Sequence, residues 1–247
     1  MERLKLGILG NGFLAEIIVE ACLKGLLPEY ELAGVFGRTP EKTNALAEKG
    51  GCRACSAMEE LLELKPDYIA EAASVQAVKD YAVEALNRGA NLVVLSIGAF
   101  ADQDFYRQVR ETASAGGRKV HMASGAVGGF DVLRTISLMG QAKAGIRTKK
   151  GPQSLAGTPL FEDGLMVDTE ERRVFSGNAK EAIGLLPTKV NVAVAASLAT
   201  VGPGETSVNI FSVPGMTGDD HMITSEIQGV KAVIDIYSKP APLQGGA

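Results

Sequence analysis

The sequence predicts an α/β fold in two parts: an N-terminal domain built on a parallel sheet, then a second, α+β domain with a mainly antiparallel sheet. Three observations predict it. Strand and helix signals alternate through the first 120 residues, and repeated strand–helix–strand units imply a parallel sheet covered on both faces. The turn Gly10-Asn11-Gly12 falls between the first strand signal and the first helix signal. After Val120 the rhythm changes to short strands without a helix between each, which reads as an antiparallel sheet with helices on one side.

Residues 3–9 form an alternating apolar run that stops at Gly10. Residues 14–27 carry helical spacing (Leu14, Ile17, Ile18, Ala21, Cys22) as far as Pro28. Residues 30–36 are a second strand, and Thr39-Pro40-Glu41 opens a helix with Thr as N-cap and Pro in its first position. Strands over 68–71 and 91–96 alternate with helices over 75–87 and 104–115. A strand at 119–122 carries His121, which reads as a hydrogen-bonded core or boundary histidine. The second part shows strands at 146–150, 165–168, 173–175, 207–213, 221–227 and 231–237, with a turn at Gln228-Gly229 and helices over 179–185 and 191–200. The expected division is 1–120, 121–238 and a flexible tail at 239–247.

Composition narrows the function. The 247 residues are 46% hydrophobic and 22% charged, an ordinary globular balance long enough for two cores. Only 5% are aromatic, there is no Trp, and the net charge is −4, which argues against nucleic acid and anionic membranes as partners. The start does not read as a signal peptide, and the apolar stretch at 190–201 is too short to span a bilayer. Three cysteines are too few for a disulfide scaffold, and two histidines leave little from which to build a metal centre, so no metal is expected. Cys52-Arg53-Ala54-Cys55 lacks the further ligands a zinc site needs and reads as coincidence. These features describe a reduced, cytoplasmic protein.

Gly10, Gly12 and Ala15 make a G-x-G-x-x-A sequence with a strand before it and a helix after it. Gly10 permits the tight turn, Gly12 lets a pyrophosphate approach the backbone, and Ala15 lets the helix lie close to the strand. Unpaired N–H groups at the helix start then face the phosphates, so 1–120 reads as a Rossmann dinucleotide-binding domain. NAD is normally held by an acid at the end of the second strand. Here Gly37 stands in that place, followed by Arg38 and Thr39, which can pair with a 2′-phosphate. NADP is therefore the preferred cofactor and NAD the alternative; the plainer reading of Arg38 is a solvated turn residue.

Several segments read together: Glu71-Ala72-Ala73-Ser74; Leu95 through Asp102; Ser124-Gly125-Ala126-Val127-Gly128-Gly129-Phe130-Asp131; Phe175 through Ala182; and Pro187 through Ala193. In this order and spacing the chain resembles the L-aspartate dehydrogenase family over nearly its whole length. The resemblance implies a Rossmann domain followed by an α+β catalytic domain, assembled as a homo-oligomer. It also implies NAD(P)-dependent oxidation of L-aspartate to iminoaspartate, then hydrolysis to oxaloacetate and ammonia. On the resemblance, Ala126 and Asn191 contact the cofactor and His221 is catalytic. Phe13, Leu14, Ala73, Ser74, Ser96 and Gly98 are expected to complete the cofactor site, and Ser124 and Gly125 the substrate site. Three features depart from the family: Asp219 stands where Asn is usual, Val213-Pro214 replaces Asp-Pro, and the chain ends in residues 240–247 where the family has a further helix.

Amine oxidation needs a base for the ammonium proton and cations for the substrate carboxylates. An imidazole near neutrality suits the first, with Asp219 or Asp220 beside it to orient the ring and raise its pKa. For the second, strand alternation puts Arg147 and Lys149 on one face and Lys150 on the other. The family carries a lysine near Lys150, which makes it the first choice, ahead of Lys189. Two other functions fit: a related NADP-dependent imine or semialdehyde reductase, and a non-catalytic NADP-binding protein.

Overall fold

The computed structural model describes residues 3–124, 127–186 and 191–239. The chain divides after Ala123 into two compact units.

The first unit runs β1 (Leu4–Leu9), α1 (Phe13–Leu23), β2 (Tyr30–Phe36), α2 (Pro40–Gly50), β3 (Arg53–Cys55), α3 (Met58–Glu63), β4 (Tyr68–Glu71), α4 (Val75–Asn87), β5 (Asn91–Val94), α5 (Gln103–Ala115) and β6 (Val120–Met122). Its six strands lie in the order β3-β2-β1-β4-β5-β6, and every pairing is parallel. The order reverses between β1 and β4, so the loops leaving those two strands open side by side at one edge, where ligands of such sheets bind. Ile8, Ala15, Val19, Val35, Leu46 and Ala47 form a closed core against which α1 and α2 pack. Ala15 is fully buried, as a helix lying close to its strand requires. Helix starts are fixed by side chains: Ser74 Oγ accepts from Ala77 N–H (3.1 Å), and an Asp102 carboxylate oxygen accepts from Phe105 N–H (3.1 Å).

The second unit runs α6 (Phe130–Met139), β7 (Lys143–Lys150), α7 (Pro152–Leu155), β8 (Arg172–Asn178), α8 (Ala179–Leu185), α9 (Asn191–Ala199), β9 (Ser207–Ser212), β10 (Asp219–Ile227) and β11 (Val230–Ser238). The sheet order is β11-β10-β7-β9-β8; β7 and β9 are parallel and the other pairings antiparallel. Alternate residues of β7 are buried (Ala144, Ile146, Thr148, Lys150), and β10 matches them with His221, Ile223 and Ser225. Asn178 and Glu181 form a reciprocal capping box that starts α8.

The structure corrects three expectations. Helix α1 stops at Leu23, because Gly25 takes a left-handed conformation and Leu26 N–H turns back to Ala21 O. Residues 163–166 form a 3-10 turn, so the strand expected at 165–168 is not there: its short apolar run has no strand beside it to pair with. His121 is exposed, because β6 is the edge of its sheet. Elements β3, α3, α6 and α7 had no expected counterpart. The tail residues 240–247 lie outside the described residues.

Candidate active site

At the carboxyl edge of the first sheet the site is built from main chain. Gly10 has φ +127°, and a Cβ there would collide with the carbonyl of Ala72 in the loop after β4. Only glycine closes that turn. Gly10 N–H donates to Phe36 O (2.7 Å) and Ala72 N–H to Leu9 O (2.8 Å), which fastens the loop to both neighbouring strands. Gly12 precedes α1 with no side-chain cap, and a Cβ placed on it meets nothing within 4 Å. The first helical bond runs from Glu16 N–H to Gly12 O (3.0 Å), leaving the N–H groups of residues 13–15 directed out of the helix start. Open space over glycine, next to unpaired N–H groups, fits a pyrophosphate.

The neighbouring loops carry the other expected cofactor residues. Phe13, Leu14, Arg38, Ala73 and Ser74 are exposed, Gly37 and Ser96 are half-buried, and all follow the carboxyl ends of β1, β2, β4 or β5. Gly98 is buried in a 3-10 turn. Glu71, which the sequence reading used only as part of a motif, organises two of these loops. It is 2% exposed, and its carboxylate accepts from Ala73 N–H (2.8 Å), Leu95 N–H (3.1 Å), Ser96 N–H (2.9 Å) and Ser96 Oγ (2.8 Å). A glutamate ending a buried strand, followed by small residues, was the available signal.

In the second unit the chemistry-bearing groups are side chains on two paired strands. His221 faces Thr148 in register and Asp219 faces Lys150, so all four lie on one face of β7 and β10. His221 is 7% exposed, with Nδ1 3.0 Å from Thr148 Oγ1. Lys150 is 7% exposed, and its Nζ donates to Asp219 Oδ2 at 2.6 Å. Burial, reinforced by the Lys150 ammonium and opposed by Asp219, pushes the His221 pKa down to about 4. The expected rise is thus reversed: burial outweighs the pull of Asp219, and the Lys150 ammonium adds to it. Asp220 belongs to the opposite face with Arg147 and Lys149. There, burial and a hydrogen bond shared with Asp235 push its carboxyl above the usual range. The ring partner is Thr148, which strand alternation alone could not pair with a residue 73 positions away.

Ser124 and Asn191 are exposed. Gly125, Ala126 and Lys189 lie outside the described residues. Cys22, Cys52 and Cys55 are free thiols, and burial pushes Cys52 up to about 11, where a thiolate scarcely forms.

Comparison with known proteins supplies the family. Residues 6–123 match the family model described as "Homoserine dehydrogenase, NAD binding domain", and residues 131–245 match "Aspartate dehydrogenase, C-terminal". The chain is 32% identical over 236 residues to L-aspartate dehydrogenase of Methanococcus maripaludis (strain C7), covering 94% of this chain and 87% of that one. It is 32% identical over 244 residues to L-aspartate dehydrogenase of Methanosarcina barkeri, covering 97% and 89%. This chain belongs to the L-aspartate dehydrogenase family. The solved aspartate dehydrogenase of Thermotoga maritima superimposes with a TM-score of 0.76 at 25% identity, covering 95% of this chain and 89% of that one. As a family member the chain is an oxidoreductase with a small-molecule substrate, and residues 6–123 are the part that takes its nicotinamide cofactor. The expected two-part fold is the fold of the L-aspartate dehydrogenase family. Among the described residues, no helix is long and apolar enough to cross a membrane.

Proposed function

We propose that this enzyme oxidises L-aspartate to iminoaspartate, which water then hydrolyses to oxaloacetate and ammonium, and that it uses NADP⁺ in preference to NAD⁺. The observation that carries the reading is the buried group His221–Thr148 beside Lys150–Asp219 in a chain of this family. The nicotinamide, when bound, accepts a hydride from the substrate Cα. The chain's own residues supply the rest.

His221 takes the proton of the substrate ammonium. With its pKa near 4 the ring is neutral, so its lone pair is open, though burial also makes it a weaker base than a solvated imidazole. The tautomer that suits this role donates Nδ1–H to Thr148 Oγ1 and leaves the Nε2 lone pair for the substrate. Lys150 uses one of its three N–H donors on Asp219 and offers the others to a substrate carboxylate, with Ser124 and Gly125 as further contacts. On this reading the dinucleotide is held by Gly10, Gly12, Phe13, Leu14, Ala73, Ser74, Ser96 and Gly98, and its nicotinamide is served by Ala126 and Asn191.

The NADP preference rests on the end of β2. Gly37 contributes no charge, Arg38 is exposed, and the Thr39 hydroxyl is not spent on capping α2. A 2′-phosphate fits donors of this kind. We also propose that the enzyme works as a homo-oligomer in the cytoplasm; its three free thiols suit a reducing compartment.

A substrate screen in both directions, with both cofactors, tests the activity. The expected result is NADPH oxidation with oxaloacetate plus ammonium, and turnover of L-aspartate in reverse. Turnover confined to another imine or a semialdehyde moves the enzyme to the reductase reading suggested by Asp219, and cofactor binding without any turnover overturns the catalytic reading. Titration calorimetry tests the cofactor: tighter NAD⁺ than NADP⁺ binding overturns the preference. Light scattering of the purified enzyme tests the assembly, and a monomer mass overturns it.

A further inference from the structure

Asn11, between the two glycines, does not point toward the open space over Gly12. Its side-chain amide donates both protons inward, to Thr39 O (2.8 Å) and to Thr43 Oγ1 (2.9 Å). Thr43 is 2% exposed, and its hydroxyl in turn donates to Thr39 O (3.1 Å) and reaches Gly37 O (3.3 Å). The phosphate loop is thereby tied to the turn between β2 and α2, the stretch that reads the adenosine ribose in folds of this class. The same side chain stands against Gly37. A Cβ on residue 37 would lie 2.5 Å from both Cγ and Nδ2 of Asn11 and 2.8 Å from its Cβ. Gly37 therefore does more than lack an acid: the space that a side chain there would enter is already filled from the glycine loop.

We propose that Asn11 is a positioning residue for the ribose end of the cofactor site. It locks residues 37–39 in place, and by filling the space beside Gly37 it leaves the ribose end of the site to Arg38 and Thr39. Only the identity of the group read at Arg38 and Thr39 rests on the NADP reading above; the lock itself does not.

The test is a double-mutant cycle in the full-length enzyme, read as the Kd of NADP⁺ and of NAD⁺. It uses the uncharged change G37A so that packing is separated from charge. N11G and G37A are each expected to weaken both cofactors about tenfold, and the double variant about tenfold instead of the hundredfold expected of independent sites. A third variant, N11D, keeps the volume but turns a donor into an acceptor facing the Thr39 carbonyl. It is expected to weaken both cofactors about tenfold while the KM for L-aspartate holds near the parent value. Additive losses in the cycle, parent-like binding by G37A or N11D, or an equal loss of aspartate affinity would each overturn the proposal. A parent enzyme that prefers NAD⁺ overturns the phosphate reading alone, because the coupling between residues 11 and 37 is measured with either cofactor.

Discussion

At the carboxyl edge of β1 the decisive groups are main-chain N–H and C=O held by glycines, with one buried carboxylate behind them. On β7 and β10 they are four side chains, two from each strand. The first arrangement needs residues that are absent: no Cβ at Gly10 and none at Gly37. The second needs residues that are present and mutually satisfied: His221 on Thr148, Lys150 on Asp219. A main-chain site tolerates little change where a glycine meets backbone, as Gly10 meets the Ala72 carbonyl, whereas a side-chain site can lose one member and keep its fold. The two regions should accordingly fail in different ways.

The largest expected effect is on the side-chain site. His221→Ala should lower turnover by about two to four orders of magnitude, the usual contribution of a general base, while the cofactor Kd hardly moves. Steady-state kinetics alongside titration calorimetry checks both halves. Parent-like turnover removes His221 from the chemistry, and a parallel loss of cofactor affinity erases the contrast between the regions.

Acid stability comes next. In the folded chain His221 sits near 4, below its ordinary value of 6.5. Between those values the unfolded chain binds a proton that the folded chain does not, so stability rises with pH across the window. His221 thus imposes no penalty above about pH 6.5, and stability drains away as the pH falls toward 4, by up to about 3 kcal/mol. Urea unfolding at pH 7 and at pH 4.5 should show a steeper loss in the parent than in His221→Gln. Equal slopes would mean that the ring is not held neutral by burial.

The same contrast decides what the sequence could tell. Gly10, Gly12 and Ala15 act within six positions of one another, and their spacing already implies strand, turn and helix. Strands β2 and β4 and helix α4 were legible to the residue, since periodicity is a local signal. Strand β3 was not, having three residues between Gly51 and Ser56, and α6 begins after Gly129 with no capping side chain to announce it. His221 was reachable only through family resemblance. The partner of its ring lies on another strand, and the register that joins them is a tertiary fact. The direction of its pKa shift went the same way: two acids adjacent in sequence suggested a rise, but burial in the sheet lowers it, a lysine adds to that, and alternation puts one acid on the far face.

A smaller effect is expected from Glu71→Gln, which probes the main-chain site. Four donors converge on the Glu71 carboxylate, so a glutamine must aim its NH₂ at groups that are themselves donors. The expected cost is about 2 kcal/mol of unfolding free energy, with several-fold weaker cofactor binding as the loops at Ala73 and Ser96 shift. Denaturant titration and the cofactor KM report the two effects. Lost stability with an unchanged KM would make Glu71 a purely structural residue.

The smallest effect concerns the single hydroxyl beside the histidine. Thr148→Val keeps the branched shape and removes only the contact to Nδ1, so His221 remains buried but loses the hydroxyl that orients its ring. One neutral hydrogen bond corresponds to about 1 kcal/mol, and turnover should fall roughly three- to tenfold. Thr148→Ser, which restores the hydroxyl without the methyl, should recover part of that loss. A packing role predicts the opposite order, because valine fills the site better than serine does. The KM for the cofactor should stay put in both variants, since neither touches the glycine edge. If Thr148→Val is the faster of the two, the hydroxyl does not orient the ring, and the imidazole is held by the sheet around it alone.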